Sequence, residues 1–340
     1  MLAGDGHQSQ SVKPARAVQS LPGIPPKNMP LNPRALEIQE DAIGVWQNDE
    51  LPAEIYHQLP GASPSQLSQF HDQTDAEARV SIESLDQKSI YLFMGSMAHQ
   101  MVMEPSRPLP KVQPYPDTYI DSKGVEKDWH MGSNYCKQWA SIRDEAGIFH
   151  MSRKGTKSAP GYDDIFGMVK SAAHHMVMRE VLSHPDTKVE VSVISMASGM
   201  QMMIRTRIDL VPGIDWHVPP AHRYLADFKF TQDPSPKAFP FKIAQMGYHH
   251  QAAISLDLWN AHHPDDQRNR WKIFAVGQKP PYLAVVHELS PEFIAKGREE
   301  YPNLIRRYFR CYSTGEWLGY PAITHLANFP KRFQAVEVEA

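Results

Sequence analysis

The 340 residues, 41% hydrophobic and 21% charged, hold enough material for a sizeable core in one large domain or two modest ones. A mean hydropathy of −0.47, no apolar run of membrane-spanning length and no basic-then-apolar leader exclude a membrane protein and point to a soluble, cytoplasmic chain. Two cysteines outside any Cys-x-x-Cys pair, Cys136 and Cys311, exclude a disulfide scaffold or zinc ribbon, and a net charge of −3 excludes a uniformly basic nucleic-acid coat, so any polyanion must meet locally clustered cations.

Residues 1–40 are rich in Pro, Gln, Ser and Gly without periodicity and read as a disordered or loosely docked arm. Turns and short extended pieces follow, with Ser63 or Ser65 as a helix N-cap. The stretch 89–104 is apolar nearly all round and ends at Pro105, predicting a buried helix with His99 inside it and Gly95, one turn earlier, leaving room for another backbone. The segment 108–160 is irregular and polar, with a helix over 135–146 and aromatic residues such as Tyr115, Tyr119, Trp129 and Trp139 that suit either packing or base stacking. A helix is predicted over 162–183. The histidine pairs His174-His175, His249-His250 and His262-His263 point to different helix faces, so none chelates a metal by itself.

Strands are predicted over 188–196, 200–210, 224–230, 270–276 and 282–288, with helices over 236–261 and 292–310. In the second strand Arg205, Arg207 and Asp209 share one face, and in the third Asp227 and Lys229 do. If these strands pair as a hairpin, Asp209 lies near Asp227, as two carboxylates sharing a divalent ion require. Asp-x-Lys occurs four times in the chain, but only Asp227-Phe228-Lys229 is set in an apolar, aromatic strand. A lysine there can orient or deprotonate a water or neutralise a phosphate; the bland alternative is an edge-strand ion pair. The helix after it sets Tyr248, Gln251 and Ser255 on one face. Candidate DNA-facing cations are Arg205, Arg207, Arg223, Lys237, Lys242 and the segment 298–310, each readable also as a solvated face. The layout is α/β: one mixed sheet with acids on its second and third strands, flanked by helices, after an irregular N-terminal region.

Several pieces in order carry a resemblance. Tyr56-His57 with Ser63-Pro64-Ser65-Gln66-Leu67, Gly95-Ser96-Met97-Ala98-His99 with Glu104-Pro105, Arg207-Ile208-Asp209, Asp227-Phe228-Lys229, Gly247-Tyr248-His249-His250-Gln251, Lys279-Pro280-Pro281-Tyr282 and the tail Thr314-Gly315-Glu316-Trp317 resemble the RecE-like (exonuclease VIII) branch of the PD-(D/E)XK nucleases, over about residues 56–320. The resemblance implies a PD-(D/E)XK nuclease core, a single nuclease domain over 41–320 (catalytic core about 161–310, with helix 89–104 packed on it) and a tail over 321–340. It makes His99, Asp209, Asp227 and the Phe228 carbonyl metal ligands for Mg2+, with Mn2+ as substitute, and Lys229 the catalytic lysine. Gln251 joins the catalytic set; Tyr248, Arg207, Arg205 and Ser255 become substrate-binding residues, and Glu190 an auxiliary one. Relatives carry a tyrosine where this chain has Ser255. The implied activity is a Mg2+-dependent exodeoxyribonuclease on double-stranded DNA ends, running 5′ to 3′, serving recombination or repair beside a single-strand annealing protein, as a ring trimer or tetramer, in a bacterial or phage-infected cell. Two rivals stand: another nuclease of the same fold (an endonuclease, or a RecB- or Cas4-like exonuclease), and a catalytically silent DNA-binding protein.

Overall fold

The computed structural model describes residues 34–84, 90–156, 160–214 and 218–321; most of the expected arm, the first residue of the 89–104 helix and nearly all of the 321–340 tail lie outside these. Six strands form one sheet whose spatial order is the order of the chain: β1 (Gly44–Trp46), β2 (Lys188–Met196), β3 (Met203–Val211), β4 (Tyr224–Thr231), β5 (Arg270–Gly277) and β6 (Ala284–Glu288). Neighbours run antiparallel except β4 and β5, which are parallel and joined by a helical crossover. The expected mixed sheet flanked by helices is therefore present, with the unpredicted three-residue β1 added at its edge.

Two layers cover the sheet. On one face α1 (Ile90–Met103), α2 (Tyr162–His174) and α3 (Met176–Ser183) set Met94, Met97, Ile165, Met168 and Met178 against Leu210, Ala226, Phe228 and Phe274. On the other, α4 (Phe239–Gln245) and α5 (Tyr248–His262) set Phe239, Ala252, Leu256 and Trp259 against Val191, Ile208, Leu225 and Ile273. The long α6 (Pro291–Thr314) packs outside α5 and closes a third core with Leu67, Phe70 and Ala35, so the last residues of the expected arm are docked. Among the described residues no helix is long and apolar enough to cross a membrane.

Two expected helices are broken. The 162–183 helix stops at His175, whose backbone is extended, and resumes as α3. The 236–261 helix divides at Gly247, whose φ of +66° starts α5 in a new direction. A Cβ at Gly247 would lie 2.8 Å from His250 Nδ1 and 2.9 Å from Ser68 Oγ. Gly247→Ala should therefore cost about 2–3 kcal/mol, left-handed strain plus the clash, read as a lower denaturant midpoint; an unchanged midpoint would show that the break is not held by this glycine. The 108–160 segment holds two small ribbons, Val112–Pro114 with Phe149–Met151 and Thr118–Ile120 with Glu126–Asp128. Its aromatics pack on one another, Tyr115 against Trp129 at 5.6 Å and Trp129 against Trp139 at 5.0 Å, which favours the packing reading over base stacking.

Candidate active site

Strands β2 and β3 reverse their facing at one point. The register sets Val189 opposite Leu210 and Val191 opposite Ile208, so Glu190 and Asp209 lie between these pairs. Val191 and Ile208 pack toward α5, whereas Val189 and Leu210, each two residues away, pack toward α1 and α2. An unbroken strand keeps positions i and i+2 on one face. On β2 the reversal is taken up at Glu190, whose φ of +56° lies in the left-handed region that costs a non-glycine residue about 1–3 kcal/mol.

A second irregularity adjoins it. The register of β3 with β4 is Leu210 opposite Ala226, which brings Asp209 next to Asp227. Here the Phe228 N–H donates not to a backbone carbonyl but to Asp209 Oδ2, at 2.7 Å. The strands part, and side chains enter the gap from both faces of the sheet: His99 from α1, and Tyr248 and Gln251 from α5.

The resulting geometry is tight. His99 Nε2 lies 3.0 Å from Asp209 Oδ2, and His99 Nδ1 lies 3.4 Å from Glu190 Oε1. One donor atom from each of His99, Glu190 and Asp209 falls within 4.8 Å of the others. Asp227, 1% exposed, is ion-paired with Lys229 and accepts a hydrogen bond from Gln251 Nε2 at 2.7 Å. The Lys229 ammonium sits 5.1 Å from the centre of the Tyr248 ring, a cation–π contact. The site opens into a cleft of about 720 Å³ whose wall includes His99, Glu190, Lys229, Lys242, Arg107 and Tyr248.

Charge states follow from this packing. Burial works against protonated His99, but the charge and hydrogen bond of Asp209 and the charge of Glu190 overcome it and raise its pKa to about 9. Burial likewise opposes ionised Asp209, yet His99, Lys229 and the Phe228 N–H hold it down at about 2. Burial pushes Asp227 up, with Lys229 opposing and Asp209 adding to the rise. Glu190 is raised by burial and by Asp209, against the pull of His99 and Arg207. The folded pKa of His99 exceeds its unfolded value, so in metal-free protein its contribution is full below about pH 6.5 and is lost as pH rises through about 9. In EDTA, the wild type should lose on the order of 2 kcal/mol over that window relative to His99→Asn, measured by denaturant titration at both ends; parallel pH profiles would refute the pairing.

Three sequence expectations need correction. Arg207 is committed chiefly to the protein itself: its guanidinium pairs with Glu190 and donates to Ser192 Oγ at 2.9 Å, to the Leu51 carbonyl at 3.0 Å and to Asn48, while the residue also lines a smaller cleft beside the site. Ser255 is fully buried and shares a hydrogen bond with Thr206 at 2.7 Å, because the face of α5 that meets the cleft at Tyr248 and Gln251 turns under the sheet one turn later. Gly95 admits no neighbouring backbone; a Cβ there would meet only Phe230 Cβ, at 3.9 Å, and the glycine instead lines the cleft. Arg205 is also buried, 4.7 Å over the Tyr56 ring, but its Nε and Nη1 have no hydrogen-bond partner and it lines a neighbouring cleft of about 370 Å³ with Ser63, Ser65, Lys229 and Gln251. Three of the 298–310 cations are held within the protein, Arg307 and Arg310 by the buried Asp75 and Arg298 by Asp257. Asn48, whose Nδ2 donates to Glu104 Oε1 at 2.6 Å, joins the site through Arg207 with no sequence signal of its own.

No family model and no curated protein matches the chain. Among solved structures, a protein from Eubacterium rectale named only provisionally as an exonuclease aligns over 77% of this chain and 90% of its own at 11% identity, with a TM-score of 0.43. The protein SSO0001 aligns over 42% of this chain and 60% of its own at 16% identity, with a TM-score of 0.25. Likenesses this distant do not bear on activity.

Proposed function

We propose that the chain is a metal-dependent nuclease, in its finer form a Mg2+-dependent exodeoxyribonuclease acting on double-stranded DNA ends. The observation that carries the reading is the convergence of His99, Glu190 and Asp209 within 4.8 Å at a strand gap, directly beside the Asp227–Lys229 pair. Glu190 and Asp209, with Asp227 and the Phe228 carbonyl alongside, offer the oxygen ligands that Mg2+ takes, and the His99 nitrogen is a donor that Mn2+ accepts more readily, so His99, Glu190 and Asp209 would hold the ion. When bound, such an ion supplies charge stabilisation at a phosphodiester and lowers the pKa of a water.

The chain's own groups do the rest. Lys229 is kept protonated by Asp227 and Asp209, so it serves a phosphate or an incoming water as a hydrogen-bond donor and not as a base. Gln251 fixes the Asp227 carboxylate, and the Tyr248 ring fixes the Lys229 ammonium. Lys242 and Arg107 place positive charge on the cleft wall despite the net charge of −3. Attack on double-stranded ends in the 5′-to-3′ sense, a ring-shaped homo-oligomer and an annealing partner are supported by the motif resemblance.

The test is digestion of 5′- and 3′-labelled linear duplex beside closed circular DNA, with Mg2+, Mn2+ or EDTA. Both metals should support end-dependent digestion and EDTA should stop it. Asp227→Ala should lower the rate by ~10²–10³-fold, through loss of the group that holds Lys229. Cleavage of circular DNA would replace exonuclease by endonuclease, and an unaffected Asp227→Ala would move the site elsewhere.

A further inference from the structure

Adjacent histidines on a regular helix diverge, yet His249 and His250 turn toward one carboxylate. They are the second and third residues of α5, directly after the left-handed Gly247. Their Nε2 atoms lie 3.0 and 2.8 Å from the same oxygen of Glu300, on α6. A third imidazole, His71, follows the Ser68–Phe70 turn, and its ring centre is 4.8 Å from that of His250 and 5.6 Å from that of His249. Among the described residues two groups bring three metal-ligating side chains within 4.8 Å: the cleft triad, and His71 with His250 and Glu300.

Two observations set this cluster apart from ordinary packing. His250 is fully buried, and its Nδ1 has no hydrogen-bond partner, a buried polar atom that an apolar residue would not have left unmatched. Glu300 is delivered by an unusually close helix crossing: a Cβ at Gly297 would lie 2.3 Å from the His249 carbonyl oxygen, so α6 approaches α5 through a glycine one turn before the carboxylate. None of the four residues lines either cleft described above.

We propose that His71, His250 and Glu300 bind a transition-metal ion of the Zn2+ class, with His249 hydrogen-bonded to the Glu300 carboxylate beside them. Imidazole nitrogens with one carboxylate oxygen are a donor set that Zn2+ takes, three protein ligands leaving a position for water, whereas Mg2+ prefers oxygen alone. The outer imidazole would orient the ligating carboxylate, as such neighbours do around bound metals. The ion ties together the 68–71 turn, the first turn of α5 and the middle of α6. Gln251 is the next residue along α5, so this second metal would hold the helix that positions Tyr248 and Gln251, from outside the cleft.

The test is Co2+, a spectroscopic stand-in for Zn2+, titrated into chelator-stripped full-length Asp209→Ala protein, in which the cleft triad has lost its central carboxylate. A single equivalent should bind with the intense visible absorption of a four-coordinate site and be displaced by Zn2+. Adding His71→Ala or Glu300→Gln should weaken binding by more than the ~10–100-fold that outer-sphere changes cost, and should abolish the rise in melting temperature that Zn2+ gives the parent. Both side chains are part-exposed, so these variants should keep the fold, checked by circular dichroism; the buried His250 is left in place. Absence of saturable Co2+ binding in the Asp209→Ala protein, or equal binding after His71→Ala, would overturn the proposal and leave a hydrogen-bonded imidazole–carboxylate cluster. The readout uses no cleavage, so its failure and that of the nuclease reading are separable.

Discussion

Asp209→Asn should reduce metal-dependent cleavage of labelled linear duplex by ~10³-fold or more while leaving the protein folded. Asp209 Oδ2 receives the Phe228 N–H at 2.7 Å and His99 Nε2 at 3.0 Å, so one oxygen aligns a backbone strand, an imidazole and the place where an ion would sit. Asparagine keeps the shape of the side chain but removes the charge that two ligands and Lys229 are arranged around. The pKa of His99 should fall with it, because the charge and hydrogen bond that raise it are those of Asp209. Cleavage rates with Mg2+ and Mn2+, beside far-ultraviolet circular dichroism, check both halves. Near-normal cleavage by a folded Asp209→Asn protein would remove the acid from the metal set and sink the proposed centre.

Arg207→Ala should be the most damaging single change to stability in this region, costing about 3–5 kcal/mol. The guanidinium and the Glu190 carboxylate are both about nine-tenths buried, and the loss of one leaves the other's charge without its partner. Glu190 also faces Asp209, whose charge already raises its pKa, so the orphaned carboxylate would be driven further toward its neutral form. Pairing Arg207→Ala with Glu190→Gln should recover part of the loss. Denaturant unfolding of the two single variants and the double variant measures the coupling; additive losses, or a cost below about 1 kcal/mol for Arg207→Ala, would mean that the ion pair is not what holds the strands here.

The strands were readable because one face of each is buried. Alternation over 188–196 predicts β2 with its observed limits, and alternation in 200–210 and 224–230 finds β3 and β4 within a few residues. What makes the site was less readable. Val189, Val191 and Val193 alternate without interruption, so nothing in the pattern reveals that Val189 and Val191 serve opposite cores and that Glu190 turns between them. The break at Gly247 depends on Ser68, almost 180 residues earlier. Helical spacing rightly put Tyr248, Gln251 and Ser255 on one face, but spacing carries no depth, and Ser255 lies beneath Thr206. The local pattern places His99 inside a buried apolar helix, and the motif resemblance is what assigns it to the site, where the structure sets it against Asp209 and Glu190.

The parting of β3 from β4 also bears on how the molecule comes to be active. The groups that meet there come from residues 48, 99, 190, 207–209, 227–229 and 248–251, brought together by antiparallel pairing, one parallel crossover and helices packed on both faces. Contacts between such distant segments form late, since each requires the closure of a long loop of chain. No fragment that stops short of α5 holds the full set. A chain emerging from the ribosome would therefore lack a working centre until α5 has followed β4 and closed over it.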